Sequence, residues 1–123
     1  MQKCWICNTN EANSGEHKIK ASEIRKLMGN KKFDGFYKGI NKFITIENSK
    51  HNCLKFPKII CESCNNTKTS KTDDAYSEFI LYIVSRYENI NSEGKINFKE
   101  IFGEDWSNKK MDLYRYIAKH AGC

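Results

Sequence analysis

Four cysteines stand in two pairs of the same spacing, Cys4 and Cys7 in "CWIC" and Cys61 and Cys64 in "CESC". Two intervening residues let both sulfurs of a pair face one ion without backbone strain. Two such pairs supply the four soft ligands of a closed, tetrahedral zinc site. A thioredoxin-like redox centre needs one pair in a βαβ setting, not two. A disulfide framework belongs to exported chains, and the start "MQKCWICNTN" has no apolar signal region. The reading is therefore zinc. Cys53 and Cys123 stand alone and read as a small buried hydrophobe and a free end.

Between the pairs lies "SGEHKIK", with Glu16 beside His17, and directly after the second pair comes "NNTK", with Asn65, Asn66 and Lys68. In order, the chain gives Cys-x-x-Cys, then acid-His, then Cys-x-x-Cys-Asn-x-x-Lys. From Cys4 to about Tyr87 this resembles the HNH endonuclease family, whose ββα-metal site is often braced by a Cys4 zinc. The resemblance implies an α+β fold: a small ββα-metal, treble-clef-like core with additional α-helices. It implies an endonuclease that hydrolyses phosphodiester bonds in DNA with water as nucleophile, leaving 3′-hydroxyl and 5′-phosphate ends. A homodimer that cuts both strands is compatible with it. A non-catalytic treble-clef zinc module that binds nucleic acid through its lysines is the alternative.

The chemistry explains the residue types. Imidazole has a pKa suited to deprotonating water near neutral pH, which makes His17 the expected general base. The leaving oxygen gains charge that a hard divalent cation can neutralise. A zinc held by four thiolates has no open position for that work. A second ion, Mg²⁺ or Mn²⁺, is expected on the oxygens of Glu16 and Asn65, with Asn66 the alternative to Asn65. Lys68 and, more loosely, Lys71 are expected on the phosphate backbone. Glu16 stands where the family often has Asp, and the family's middle asparagine falls on Asn48 or Asn52. His51 and His120 read as surface residues.

These residues need a scaffold. At 123 residues the chain is expected to form one domain, with a core over about 4–88 and a helical extension over about 89–123. Lys and Arg number 21 against 15 Asp and Glu, a balance of +6 that suits a polyanionic partner. The absence of any long apolar run excludes a transmembrane helix and points to a cytoplasmic location. "SEIRKLMG" reads as a helix capped by Ser22, with Ile24, Leu27 and Met28 on one face and Gly29 closing it. A strand is expected over Phe43 to Glu47, and "CLKFPKIIC" reads as a second extended run delivering Cys61.

The strongest periodicity lies in "DDAYSEFILYIVSRYENI", with Tyr76, Phe79, Ile80, Ile83, Val84 and Tyr87 on one face and Asp73 or Asp74 as cap. Asn97 and Glu100 form a capping box, closed by Gly103. A last helix is expected from a Ser107 cap to Gly122, with Met111, Tyr114 and Ile117 inward. The chain reads as α-rich with a small hairpin near the cysteines.

Overall fold

The computed structural model describes residues 1–28, 35–38 and 43–123. The backbone divides into two compact units, residues 1–61 with Cys123, and residues 62–122. Among the described residues the chain is mostly helical, with one short antiparallel pair of strands.

The first unit begins with a narrow hairpin. Lys3 bridges Glu11, and the Ala12 N–H donates to the Gln2 carbonyl at 2.9 Å. At its tip the Cys4 N–H donates to the Asn10 carbonyl and the Asn8 N–H to the Cys4 carbonyl, both at 2.8 Å. Asn8 turns the chain with φ 52, a left-handed conformation that asparagine tolerates better than most residues.

A second pairing joins residues 14–18 to residues 54–60. Ser14 bridges Ile60 and His17 bridges Lys55, both antiparallel. Between these bridges the second segment has two residues more than the first, taken up around Pro57, where the Ile59 N–H turns back onto the Pro57 carbonyl. Gly15 sits opposite this bulge, and a Cβ there would lie 2.5 Å from the Phe56 carbonyl oxygen. Only glycine lets the two backbones approach this closely. The extended run before Cys61 was expected; its partner is residues 14–18.

Helix α1 spans Ala21–Met28. It begins one residue before the expected cap, because the N–H groups of Glu23 and Ile24 both reach the Lys20 carbonyl. Ser22 is thus inside the helix and does not cap it. Gly29 lies outside the described residues, as do the side chains of Leu27 and Met28. Strand β1 (Gly35–Lys38) pairs with β2 (Phe43–Ile46) in the register Gly35 to Ile46. β2 was expected; β1 was not, since "GFYK" between glycines is too short to show alternation. Ile24, Ile46 and Leu54 form a small core, with Cys53 packed against it as the hydrophobe it was taken for.

The second unit opens with a six-residue π-helical turn, Ser63–Lys68, and continues as α2 (Ser70–Ser85), α3 (Tyr87–Glu93), α4 (Phe98–Phe102) and α5 (Trp106–Gly122). α2 starts earlier than expected, with Thr69 at its cap position and Asp73 inside its first turn. It also ends earlier, because Arg86 leaves helical geometry. Tyr87 thus falls beyond α2, and both it and Val84, still inside the helix, are exposed instead of continuing the expected face. α4 is capped by Asn97 as expected, but not through a capping box. Asn97 accepts the Lys99 N–H at 3.0 Å, the Glu100 carboxylate turns to the Tyr82 hydroxyl at 2.7 Å and the Asn97 amide at 3.4 Å, and Gly103 closes the helix at φ 71.

Ala75, Phe102 and Leu113 form the core of this unit, with Tyr76, Phe79, Phe98 and Ile101 around them. Burying a side chain such as Leu113 is worth about 1.5–3 kcal/mol. α5 turns a different face inward from the expected one. Leu113, Tyr116 and Lys119 are buried, while Met111, Tyr114 and Ile117 are exposed. Two contacts decide this: Tyr116 stacks on Tyr76 with ring centroids 4.1 Å apart, and Lys119 finds an acid partner in α2. Among the described residues no helix is long and apolar enough to cross a membrane.

Candidate functional site

Cys4, Cys7, Cys61 and Cys64 converge, with all four sulfurs within 4.8 Å of one another. Cys7 and Cys61 approach to 4.0 Å, about twice a disulfide's S–S length. Tetrahedral zinc with Zn–S near 2.3 Å requires sulfurs about 3.8 Å apart. The spacing therefore fits four ligands around one ion and does not fit a bond between sulfurs. Cys4 and Cys64 are fully buried, Cys61 nearly so. Hydrogen bonds from the Thr9 side chain and then from the Asn10 and Thr9 backbones pull the Cys7 thiol down to about 5. The thiolate is the metal-binding form. The Asn10 side-chain amide also points at the Cys61 sulfur, 3.6 Å away. Among the described residues this is the one group of three or more such donors close enough to share an ion.

Each anchor has a local cause. The first pair sits at the tip of the N-terminal hairpin, which the Trp5 N–H ties to the Ile59 carbonyl at 3.2 Å. Cys61 follows Ile60, which is fully buried and paired with Ser14. Cys64 lies on the π-helical turn, a wider and rarer winding than the α-helix expected there. Thr69 holds that turn, its hydroxyl donating to the Cys64 carbonyl at 2.8 Å and the Asn65 carbonyl at 3.0 Å. Lys119 donates to the same hydroxyl at 3.1 Å and to Asp73 at 3.3 Å.

In the first unit Glu16 and His17 lie on the paired segment 14–18. The Phe56 N–H binds the Glu16 carbonyl at 2.8 Å and the Lys18 N–H binds the Leu54 carbonyl at 2.7 Å, which fixes the backbone on both sides of His17. The Glu16 carboxylate folds back onto the His17 N–H at 3.0 Å. The imidazole is half-buried, and its Nε2 is sealed from solvent with no hydrogen-bond partner among the described residues. Burial, reinforced by the Lys55 charge, moves His17 below its ordinary 6.5; Glu16 and the Ser49 backbone oppose this, and Arg25 adds a little. The ring is held neutral at pH 7.

Asn65 is half-buried on the π-helical turn, whereas Asn66 and Lys68 are exposed. Lys71 is exposed in the first turn of α2 and lines a cleft with Asp74 and Asp105 and with the ion pairs Lys109–Glu78 and Arg115–Asp112. His51 is not simply a surface residue. It is half-buried, accepts the Cys53 N–H at 3.2 Å and starts the short 3₁₀ turn Asn52–Leu54. His120 is also half-buried, against the Tyr116 ring at 4.7 Å.

Sequence reasoning passed over Gly15, Thr69 and Lys119. Gly15 carried a usable signal, as a glycine immediately before an acid-His pair. Thr69 and Lys119 carried none, being ordinary polar residues 50 positions apart. Comparison with known protein families, curated proteins and solved structures finds no match to this chain.

Proposed function

We propose that the protein is a metal-dependent endonuclease of HNH type acting on DNA. The observation that carries this reading is His17: half-buried, backbone fixed on both sides, held neutral, and next in sequence to a carboxylate. Among the described residues its Nε2 has no hydrogen-bond partner, a state that buried polar atoms seldom adopt. The order of elements supports a ββα-metal core of treble-clef type, in which the pairing of 14–18 with 54–60 precedes the helical turn after Cys61.

The remaining roles follow from donor chemistry. The four thiolates would hold a structural zinc, and Glu16 and Asn65 offer the hard oxygens that suit Mg²⁺ or Mn²⁺. Such an ion, when bound, supplies charge neutralisation at the leaving oxygen. Glu16 would have to release the His17 N–H to serve it, which a side-chain rotation accomplishes. Of the two candidates for the middle asparagine, Asn52 fits better. It lines one cavity with Ser14 and Gly15, while the Asn48 side chain is engaged by the Lys50 N–H at 2.9 Å.

The test is cleavage of supercoiled plasmid by the purified protein with Mg²⁺ or Mn²⁺, compared with His17→Ala. General-base catalysis contributes about 10²–10⁴-fold, so the variant should lose activity by that factor while keeping its zinc and its fold. Equal turnover in the variant would remove His17 from the mechanism. The inward fold of Glu16 favours a second reading, a zinc module that binds nucleic acid without cutting it. Absence of cleavage together with retained binding would establish that reading instead.

A further inference from the structure

Beside the His17 segment lies a cavity of about 340 Å³, formed wholly within the first unit by Asn13, Ser14 and Gly15 on one side and by Asn52 and residues 55–58 on the other. Its charged lining residues are Lys55 and Lys58, and none is acidic. Neither lysine forms a salt bridge with a described residue. Lys55 stands directly opposite His17 in the antiparallel bridge, which puts the two side chains on one face of the pairing, and the Lys55 charge is felt at the imidazole.

We propose that this cavity binds a sugar–phosphate unit of the nucleic acid, with Lys55 and Lys58 on its phosphate. The proposal rests on the nuclease reading only for the identity of the strand; the site itself follows from charge and shape. Two lysines and, among the described residues, no acid line the cavity, so a phosphate would supply the counter-charge there. Lys55 is half-buried, so its attraction is screened less than that of a lysine in open solvent. Phe56 and Pro57 give the cavity an apolar wall that a sugar can cover, and Asn13 and Ser14 add polar groups. Ligand cavities commonly run from about 300 to 1,000 Å³, so the space suits one sugar–phosphate unit and not a whole strand. The bulge at Pro57 shapes this wall, and the absence of a side chain at Gly15 makes the bulge fit.

The site differs from the lysines expected from sequence. The cleft at Lys71 is lined by four carboxylates along with Lys109 and Arg115, whereas no carboxylate lines the cavity at Lys55 and Lys58. The Lys55→Gln/Lys58→Gln variant should therefore weaken duplex binding more than Lys71→Gln does.

The experiment measures binding of a fluorescein-labelled DNA duplex to the zinc-loaded full chain without added divalent ion, across a salt series. Each lysine that neutralises a phosphate contributes about 0.9 to the slope of log affinity against log salt, so the double variant should lose nearly two units. Lys55→Arg/Lys58→Arg, which keeps both charges, should retain the slope, and zinc content and melting temperature check the fold of both. An unchanged slope in a folded double glutamine variant overturns the proposal. Inorganic phosphate is added in parallel while the backbone amide signals of Asn13, Ser14 and Asn52 are followed by NMR. Shifts that disappear in the glutamine variant place the anion in this cavity. Shifts with phosphate combined with an unchanged DNA slope would make it a site for the free anion, which also overturns the assignment to a strand. The two readings fail separately: a lysine-dependent slope in a protein that never cleaves DNA retires the nuclease and keeps the site, while His17-dependent cleavage with an unchanged slope does the reverse.

Discussion

The Lys119 ammonium, 3% exposed, donates to the Thr69 hydroxyl at 3.1 Å, and that hydroxyl in turn holds the carbonyls of Cys64 and Asn65. A charge near the end of the last helix is thereby joined, through one hydroxyl, to the turn that carries one of the four clustered sulfurs. A hydroxyl that accepts from a cation donates more strongly, so the contacts reinforce one another.

Lys119→Met should therefore destabilise the helical unit by about 1–3 kcal/mol, the cost of leaving the Thr69 and Asp73 oxygens short of a partner. The figure stays below that for a fully buried ion pair because Asp73 keeps 27% exposure. Urea denaturation measures it. The double variant Lys119→Met/Asp73→Asn should recover part of the loss, since it removes the uncompensated carboxylate. Zinc should also leave Lys119→Met faster than wild type in a chromogenic chelator assay, whereas an equally destabilising Leu113→Ala should leave the exchange rate closer to wild type.

The cysteine cluster should bind one equivalent of zinc, read by elemental analysis. Replacing Cys4 or Cys64, both fully buried, with Ser should abolish tight binding. Ligand binding here is coupled to folding, so strong chelators should loosen the hairpin and the turn together, seen as lost amide dispersion in NMR. Folded protein without metal, or a Cys4–Cys7 disulfide, contradicts the assignment.

The His17 titration gives a signed pH dependence. Its folded pKa lies below 6.5, through burial first and Lys55 second, with Arg25 in the same direction and Glu16 and the Ser49 backbone opposing. In the unfolded chain the ring protonates near 6.5. The contribution to stability is complete above that value and is lost as pH falls through the folded pKa. Stability should thus decline on acidification below pH 6.5, and less so in His17→Ala. An NMR titration of the His17 ring without added divalent ion should show a midpoint under 6.5; a midpoint above it would mean the ring is not buried as described.

Gly15→Ala places a methyl group 2.5 Å from the Phe56 carbonyl oxygen, so one of the two backbones must move. Overpacking of this kind costs about 1–3 kcal/mol. The movement displaces the Glu16–His17 segment, so DNA cleavage should fall by more than the loss of folded protein accounts for. Thermal melting and cleavage at a temperature where the variant is fully folded separate the two effects.

The features legible in the sequence are those set by near neighbours along the chain. The cysteine pairs declare themselves by two-residue spacing, and Asn97 shows itself as the cap of α4. The face of α5 did not, because Met111, Tyr114 and Ile117 form as regular a stripe as Leu113, Tyr116 and Lys119, and a more apolar one. The choice went to the second stripe through Asp73 and Tyr76, residues some 40 positions away, reached only once α2 is in place. The hairpin partner of the run before Cys61 was hidden for the same reason. At the candidate site, Glu16 and His17 were visible as a pair, while the lysines opposite them were obscured by many others of equal rank.

The cysteine cluster also sets an order of events during biosynthesis. Cys7 and Cys61 lie 54 positions apart, so the N-terminal hairpin leaves the ribosome long before its partners. At translation rates of about 5–20 residues per second, that gap lasts roughly 3–11 seconds. Throughout it, Cys4 and Cys7 are two neighbouring thiols, open to oxidants and to any soft ion the cell offers. Completion of the cluster is then the first moment at which all four thiols can share one ion.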